Sequence, residues 1–495
     1  MKFSEMLEFA EAKVTDIESS FDFEVNKLCY NSNNVEPNDI FFAIKGFNSD
    51  GNDYISDAFS RGARAVFTDS EPGINDSRIY KVKDCRKIMA VMSNDFFSYP
   101  SRKMKIIGAT GTNGKTTVTS LINFVLQSLG KKTGLIGTNG NYINKRYIKT
   151  EYTTPESVDL NKLLKEMADE GVEYVCMEVS SHSLAMHRVH GLDFDAVIFT
   201  NLTPEHLDLH KSMELYFDAK KTLFDSIKRI NEKGSNTAAI YNCDDPYGDR
   251  IVSGSQAERI AYGFGCGAYS GKNLKMDFDG MEFDVLVPRN GSETDKICIE
   301  TKLTGRFNVY NVLASVALLR FFKIDYKDIR KTISEFNPVE GRFNQLKLSS
   351  GAVAIIDYSH TPDSLLKAVT TIREILDENE SKKKVITVFG CGGNRDKTKR
   401  PVMGEIASEN SDEVIITSDN PRFEEPMDII EDIKAGFKKD NYTIIENREQ
   451  AIKKAVETSK KGDVILIAGK GHEDYQEIKG IKHHFSDREI VEKFC

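Results

Sequence analysis

Met104-Lys-Ile-Ile-Gly-Ala-Thr-Gly-Thr-Asn-Gly-Lys-Thr-Thr117 is the stretch around which the rest of the chain is organised. The apolar pair Ile106 and Ile107 reads as a buried strand. It breaks into a loop carrying Gly108, Gly111 and Gly114, followed by Lys115-Thr116-Thr117. Val118, Leu121, Ile122, Val125, Leu126 and Leu129 then recur at helical spacing, and Gly130 supplies a C-terminal stop. Strand, glycine loop, Lys-Thr and helix together make a phosphate cradle. The N–H groups of Gly111, Thr112, Asn113 and Gly114 and the positive helix end face the phosphates. Lys115 reaches the outer ones, and the hydroxyl of Thr116, with Thr117 behind it, is placed to hold Mg2+. The usual pattern has a glycine five residues before Gly114, where this chain has Ala109.

The 495 residues suggest roughly three domains at about 100–200 residues each. Hydrophobic content of 40% and charged content of 29% describe an ordinary globular chain. No apolar run reaches the roughly 18–20 residues of a membrane span, and the acidic residues of positions 1–20 do not read as a signal peptide. A net charge of −9 argues against a general nucleic-acid binder. The eight cysteines show no C-x-x-C pair and read as free thiols of a reducing cytoplasm. The run Lys382-Lys383-Lys384 reads as a solvated turn before a strand.

Three α/β domains are expected. Residues 1–100 form a small mixed N-terminal domain, with strands at Phe41–Ile44 and Ala65–Phe67. Residues 101–337 form a central mononucleotide-binding domain with a mostly parallel sheet. Its strands after the phosphate loop are Thr133–Ile136, Tyr174–Val179, Ala196–Phe199 and Ala238–Tyr241. Gln256–Ile299 alternates apolar and polar residues and reads as antiparallel hairpins, a β excursion. Residues 338–495 form a doubly wound, Rossmann-like domain with strands at Ala352–Ile356, Val385–Phe389, Val414–Thr417, Thr443–Ile445 and Val464–Ala468. It lacks G-x-G-x-x-G, so no nicotinamide cofactor is expected.

Ligands of such sheets gather at the carboxyl ends of the strands. There lie Glu178 and Ser180, then His206 in Thr203-Pro-Glu-His-Leu-Asp-Leu-His210. Glu178, His206 and Lys220, in Tyr216-Phe-Asp-Ala-Lys-Lys-Thr-Leu-Phe224, suit with Thr116 an oxygen-and-imidazole magnesium site beside the phosphates. In the third domain three strand-end loops carry Arg395, the run Asp419-Asn420-Pro421-Arg422, and Gly469 with Glu473. Arg395 and Arg422 offer forks for carboxylates, and Glu473 suits an ammonium.

Gly111-Thr-Asn-Gly-Lys-Thr-Thr117 resembles the form used by the Mur ligases and folylpolyglutamate synthetases, which join a carboxylate to an amine at the expense of ATP. The segments around His206, Lys220, Gly305, Asn308, Gly341-Arg342, Asp357, His360, Asp419–Arg422 and Gly469–Glu473 match that family in the family's order. The match is similar to the subgroup that adds the third residue of the peptidoglycan stem. The resemblance implies further roles. Asn308, Arg342, Asp357 and His360 approach ATP. Ser32, Thr153, Thr154, Ser180 and Arg188 hold UDP-MurNAc-L-Ala-D-Glu. Lys220 carries a CO2-derived carbamate that binds Mg2+ beside Glu178 and His206, with Lys115, Glu178, His206 and Lys220 catalytic. Asp419-Asn-Pro-Arg422 implies meso-diaminopimelate as the amine, since lysine-adding relatives usually replace the arginine. A monomer without nucleic-acid or membrane partners is implied.

Two departures stand out. The family's Asp-Ser-Arg and Pro-Gly-Asp segments are here Asn31-Ser32-Asn33 and Pro37-Asn38-Asp39, so only Ser32 remains of the first. Met186 replaces a glutamine two residues before Arg188. The alternatives are a lysine-adding or other ligase of this superfamily, and a phosphate-loop ATPase switch that ligates nothing.

Overall fold

The computed structural model describes residues 1–9, 22–46, 49–288, 294–378 and 383–495. It contains three successive α/β units, each built on its own sheet. The first is four-stranded and parallel throughout: Leu28–Cys29, Ile40–Ala43, Ala65–Thr68 and Ile79–Lys81 lie side by side in chain order.

The second is an 11-stranded sheet centred on the strand Lys105–Thr110, which lies between Ala196–Phe199 and Tyr174–Glu178. Pairing is parallel from Tyr269–Met276 across to Thr133–Gly137 and antiparallel at both edges. Central strands covered on both faces read as unbroken apolar runs, as in Ala196-Val-Ile-Phe199, wholly buried. The helix Lys115–Ser128 packs on one face through Val118, Leu121, Ile122, Val125 and Leu126, all fully buried. At about 1.5–3 kcal/mol for each large side chain removed from water, this face fixes the helix, and hence the phosphate loop, on the sheet. Gly130 closes the helix at φ 77°.

The third sheet is six-stranded. Asn344–Lys347 pairs antiparallel at one edge, and Val353–Asp357, Val464–Ala468, Val385–Phe389, Glu413–Ile416 and Tyr442–Ile444 follow in parallel. The carboxyl ends of Val353–Asp357, Val464–Ala468, Val385–Phe389 and Glu413–Ile416 therefore deliver their loops to one rim.

Three sequence expectations are corrected or bounded. The cysteines are not all free: Cys243 and Cys266 form a disulfide with their Cα atoms 6.0 Å apart. They are 23 residues apart, but they follow the neighbouring parallel strands Ala238–Asn242 and Glu258–Gly263, so the loops meet. The hairpins expected over 256–299 do form, at Tyr269–Met276, Met281–Pro288 and Thr294–Thr301, yet they are no excursion. Glu258–Gly263 runs parallel and carries them as one edge of the central sheet. Lys382, and residues 10–20 of the acidic N-terminal stretch, lie outside the described residues.

One buried ion pair anchors the third domain. Arg448 and Asp487, both wholly inaccessible, meet through Nη2 and Oδ2 at 2.7 Å and through Nε and Oδ1 at 2.8 Å. Arg448 Nη2 also donates to the carbonyl of Ala468, the residue before Gly469. Asp487→Ala leaves a guanidinium buried and uncompensated. It should cost about 3 kcal/mol in denaturant unfolding followed on the third domain; a loss under about 1 kcal/mol would show that water reaches the guanidinium.

Candidate active site

The phosphate loop is shaped by contacts that leave no room for side chains. Gly111 lies at φ 149°, and a Cβ there would stand 1.9 Å from Thr200 Oγ1. Gly114 lies at φ 89°, and a Cβ would stand 2.5 Å from Asn311 Oδ1. Thr200 Oγ1 donates to the carbonyl of Asn113 at 2.6 Å, Asn201 Oδ1 accepts from Asn113 N at 3.0 Å, and Thr112 N donates to Asn201 O at 2.8 Å. Lys115 Nζ folds over the loop onto the carbonyls of Gly111 and Thr112 at 2.9 and 2.8 Å. Ala109, the departure from the common pattern, is a fully buried strand residue in register with Glu178 and Ile198. That register puts Glu178 beside the loop.

Glu178 is held on several sides. Its Oε1 accepts from Thr138 N at 2.9 Å. Its Oε2 accepts from Thr138 Oγ1 at 3.2 Å and from Thr116 Oγ1 at 3.0 Å. His206 opens the short helix Leu207–His210 in a left-handed conformation, φ 55°, with its ring centroid 4.6 Å from that of His182. Burial pushes the His206 imidazole down to about 4, so it is neutral and able to offer a lone pair. Glu205, which sequence reasoning passed over, faces this ring at 3.6 Å and accepts from His360 at 3.1 Å. Burial disfavours its charge, but the hydrogen bond from His360 and the Lys115 ammonium act against that, and its pKa lies below the usual carboxylate range.

Lys220 is 1% exposed. Its Nζ donates to Gly111 O at 2.9 Å and lies 4.6 Å from the centre of the Tyr216 ring. Burial, and then repulsion from Lys115, pull its pKa well below that of an ordinary lysine. Thr116 and Glu178 are thus buried together on one side of the loop, and buried Lys220 meets the loop separately at Gly111.

A cleft of about 2690 Å³ is walled by all three domains, and Glu205 and His206 line it. On its central wall Thr153 bonds Thr138 Oγ1 at 3.0 Å; Thr154 is wholly buried behind that wall, its Oγ1 donating to Glu178 O at 2.8 Å. Ser180 caps the helix Ser181–Ala185. Arg188 donates to Thr154 O at 2.9 Å and pairs with Glu156 at 2.8 Å, which Arg86 of the first domain also meets at 3.2 Å. Met186 turns its sulfur onto Arg188 Nη2 at 3.5 Å, supporting the arginine rather than adding a polar group to the cleft. Ser32, 5% exposed, lines the first domain's part of the wall.

The third domain reaches the loop directly. Arg342 Nη2 donates to Thr116 Oγ1 at 3.1 Å, with its guanidinium 4.6 Å from the centre of the Tyr358 ring. Asn113 Nδ2 donates to Asp363 Oδ2 at 2.8 Å. Asp357 is engaged with Phe343 N at 2.7 Å and with Ser359, where it shapes the turn ahead of His360. Asn308 bonds Asn311 at 2.8 Å, and it is Asn311 that meets the loop at Gly114.

The three strand-end loops of the third domain converge as well. Asn420 Nδ2 and Lys470 Nζ donate to Glu473 Oε2 at 2.9 and 3.3 Å. A Cβ on Gly469 would lie 2.7 Å from Asp419 Oδ2, and one on Gly393 would lie 1.9 Å from Pro421 O. Arg422 donates from Nη1 to Gly393 O at 2.8 Å and pairs through Nε with Glu477 at 3.2 Å. Arg395 and Arg422 both line the cleft. Buried Arg400 ties two of the loops together by binding Glu424 at 3.0 Å and Gly392 O at 3.3 Å, and its charge holds Glu424 down to about 2. Lys470 and Glu477 had escaped the sequence reading. The signal for Glu477 was the Lys479-Gly480 turn between two alternating stretches, a hairpin signature.

A phosphate loop backed by the buried carboxylate of Glu178, with a cleft beside it that joins Glu205 and His206 to a rim of arginine loops, is the arrangement of an enzyme that uses a nucleotide to join two substrates. Family models match in chain order: the Mur ligase family, catalytic domain over residues 24–102, the Mur ligase middle domain over 109–319, and the Mur ligase, glutamate ligase domain over 341–471. The chain belongs to the Mur ligase family. It is 45% identical over 475 residues, 95% of each chain, to UDP-N-acetylmuramoyl-L-alanyl-D-glutamate--2,6-diaminopimelate ligase 1 of Clostridium acetobutylicum. It is 42% identical over 478 residues, again 95% of each, to the ligase of that name from Clostridium botulinum. A solved structure of such a diaminopimelate ligase matches with a TM-score of 0.66 and 29% identity over 98% of each chain. MurF from Acinetobacter baumannii shares the fold, with a TM-score of 0.64 at 16% identity over 94% of this chain and 95% of that one.

Proposed function

We propose that this chain adds meso-diaminopimelate to the γ-carboxylate of D-glutamate in UDP-MurNAc-L-Ala-D-Glu, at the expense of ATP. The observation that carries this reading is the shared cleft, lined by Thr153, Ser180 and Arg188 of the central domain, by Arg395, Arg422 and Glu473 of the third, and by Glu205 and His206. Diaminopimelate differs from lysine by one carboxylate, and Arg422 with Arg395 is the chemistry that recognises it.

The donor set fits a hard divalent cation. Thr116 Oγ1 and Glu178 Oε2 are oxygens 3.0 Å apart, and His206 is neutral. Thr116, Glu178, His206 and Lys220 as a carbamate would hold Mg2+. The cation supplies charge neutralisation for the transferring phosphoryl group. Lys220 as a bare ammonium does not fit such a site, whereas a neutral buried amine is the form that takes up CO2.

The chain's own groups account for the rest. Loop N–H groups and Lys115 bind the phosphates. Arg342, delivered to Thr116, counters charge on the phosphoryl group moving to the glutamate carboxylate. The diaminopimelate amine then attacks the acyl phosphate, loses its proton, and expels phosphate as the amide forms. Closure of the third domain on Asn113 and Thr116 excludes water from that acyl phosphate. No helix among the described residues is long and apolar enough to cross a membrane. We place the reaction in the cytoplasm, with the chain acting as a monomer.

The test is the mass of the product formed with ATP, magnesium and UDP-MurNAc-L-Ala-D-Glu, with diaminopimelate or lysine in parallel. Tripeptide is expected with diaminopimelate in large excess over that with lysine. Product with lysine instead sinks the specificity, and ATP consumption without product in either tube favours a phosphate-loop switch.

A further inference from the structure

Arg422 is held in an unusual way. Its backbone is left-handed, φ 54°, a conformation non-glycine residues keep only where surroundings impose it. The imposing element is the hairpin Tyr475–Ile478/Ile481–His484. Arg422 N donates to Glu477 O at 3.0 Å, and Lys479 N donates to Arg422 O at 2.7 Å. The same hairpin holds the rest of the loop, with Gln476 Nε2 donating to Asp419 O at 2.6 Å and Glu477 N to Asn420 Oδ1 at 2.9 Å.

The side chain is fixed too. Nε–H is taken by the Glu477 carboxylate at 3.2 Å and Nη1 donates to Gly393 O at 2.8 Å. A guanidinium has five N–H donors, so the outer end of the fork, with Nη2, remains for an incoming carboxylate. Arg422 and Glu477 are 20% and 21% exposed, a pair at the cleft wall and not in solvent.

We propose that Glu477 is a positioning residue that aims Arg422 at the distal carboxylate of the diamino acid, and so sets the preference for diaminopimelate over lysine. This rests on the functional reading above. A carboxylate and a guanidinium bind through two parallel hydrogen bonds, so the fork's orientation matters as much as its charge. Gly393 O alone permits the guanidinium to swing about Nη1; Glu477 at Nε removes that freedom. Lysine presents no distal carboxylate, so its use does not depend on this aim.

The experiment compares the unmodified chain, Glu477→Gln, Arg422→Lys and the double variant, each with diaminopimelate and with lysine. Glu477→Gln keeps the size of the side chain. It should raise the KM for diaminopimelate about 10-fold, leave kcat and the KM values for ATP and the UDP-linked substrate within about 2-fold, and leave turnover of lysine where it was. The preference for diaminopimelate falls by the same factor. In the double variant the loss should equal that of Arg422→Lys alone, because Glu477 acts through the arginine. Additive losses, equal increases in every KM, or a drop in Tm with Glu477→Gln would make Glu477 a scaffold residue and overturn the proposal. An unchanged KM for diaminopimelate in Glu477→Gln overturns it also, with the functional reading left standing. Failure of the unmodified chain to use diaminopimelate overturns that reading, and this proposal with it.

Discussion

Lys220→Ala is expected to lower ligation about 10³-fold, with part of it restored by added formate or acetate, whereas Lys220→Arg should be as inactive as the alanine variant and should not be restored. The loss is on the order of removing one preorganised group from the reaction centre. The restoration follows from the site. The amine is buried, its basicity is depressed by burial and by Lys115, and it lies against the phosphate loop at Gly111. A permanent cation there would repel a divalent metal and Lys115 alike. A carbamate presents two oxygens instead, and a small carboxylate entering the space left by the alanine variant presents the same two. Arginine keeps a donor for Gly111 O but cannot react with CO2. Labelled bicarbonate followed by carbon NMR of the intact protein gives the direct readout. Full activity of Lys220→Arg, or no carbamate signal from an active sample, would assign Lys220 to the shaping of the loop.

Arg422→Ala is expected to reduce kcat/KM for diaminopimelate by about 10²–10³, nearly all of it in KM. Charge-assisted pairs in a desolvated pocket are worth about 2–5 kcal/mol when one partner is removed, and about 1.4 kcal/mol corresponds to a factor of ten. Arg422 bonds to Gly393 and Glu477, and none of these contacts runs to the phosphate loop. The KM for ATP should therefore stay within a few-fold. Steady-state kinetics with each substrate varied in turn decide the matter, and parallel increases for ATP and diaminopimelate would mean that the substitution had disturbed the domain and not the pocket.

Much of this arrangement was legible because it is local. Gly114-Lys-Thr116 needs only its own strand and helix to make a phosphate cradle. Val385–Phe389 and Val464–Ala468 were read to the residue because parallel strands buried on both faces are unbroken apolar runs. One edge strand of the third sheet was not seen: Asn344-Gln-Leu-Lys347 is half-exposed, and its polar content resembles a loop. Glu205 and Asn311 carry no local mark. Their positions follow from a third domain folded onto the second and from helix packing against the loop. Cys243 and Cys266 meet only because two strands distant in sequence are neighbours in the sheet.

The left-handed backbone at Arg422 bears on how such a pocket can drift. β-branched side chains are genuine outliers there, while asparagine and aspartate tolerate that conformation and glycine prefers it. A lineage changing its third stem residue thus meets a filter before any ligand is tested. Threonine, valine and isoleucine are closed by the main chain, and the open routes lead through short polar side chains or glycine. The repertoire of amino acids that descendants of this pocket can come to read is narrowed by a torsion angle as much as by charge.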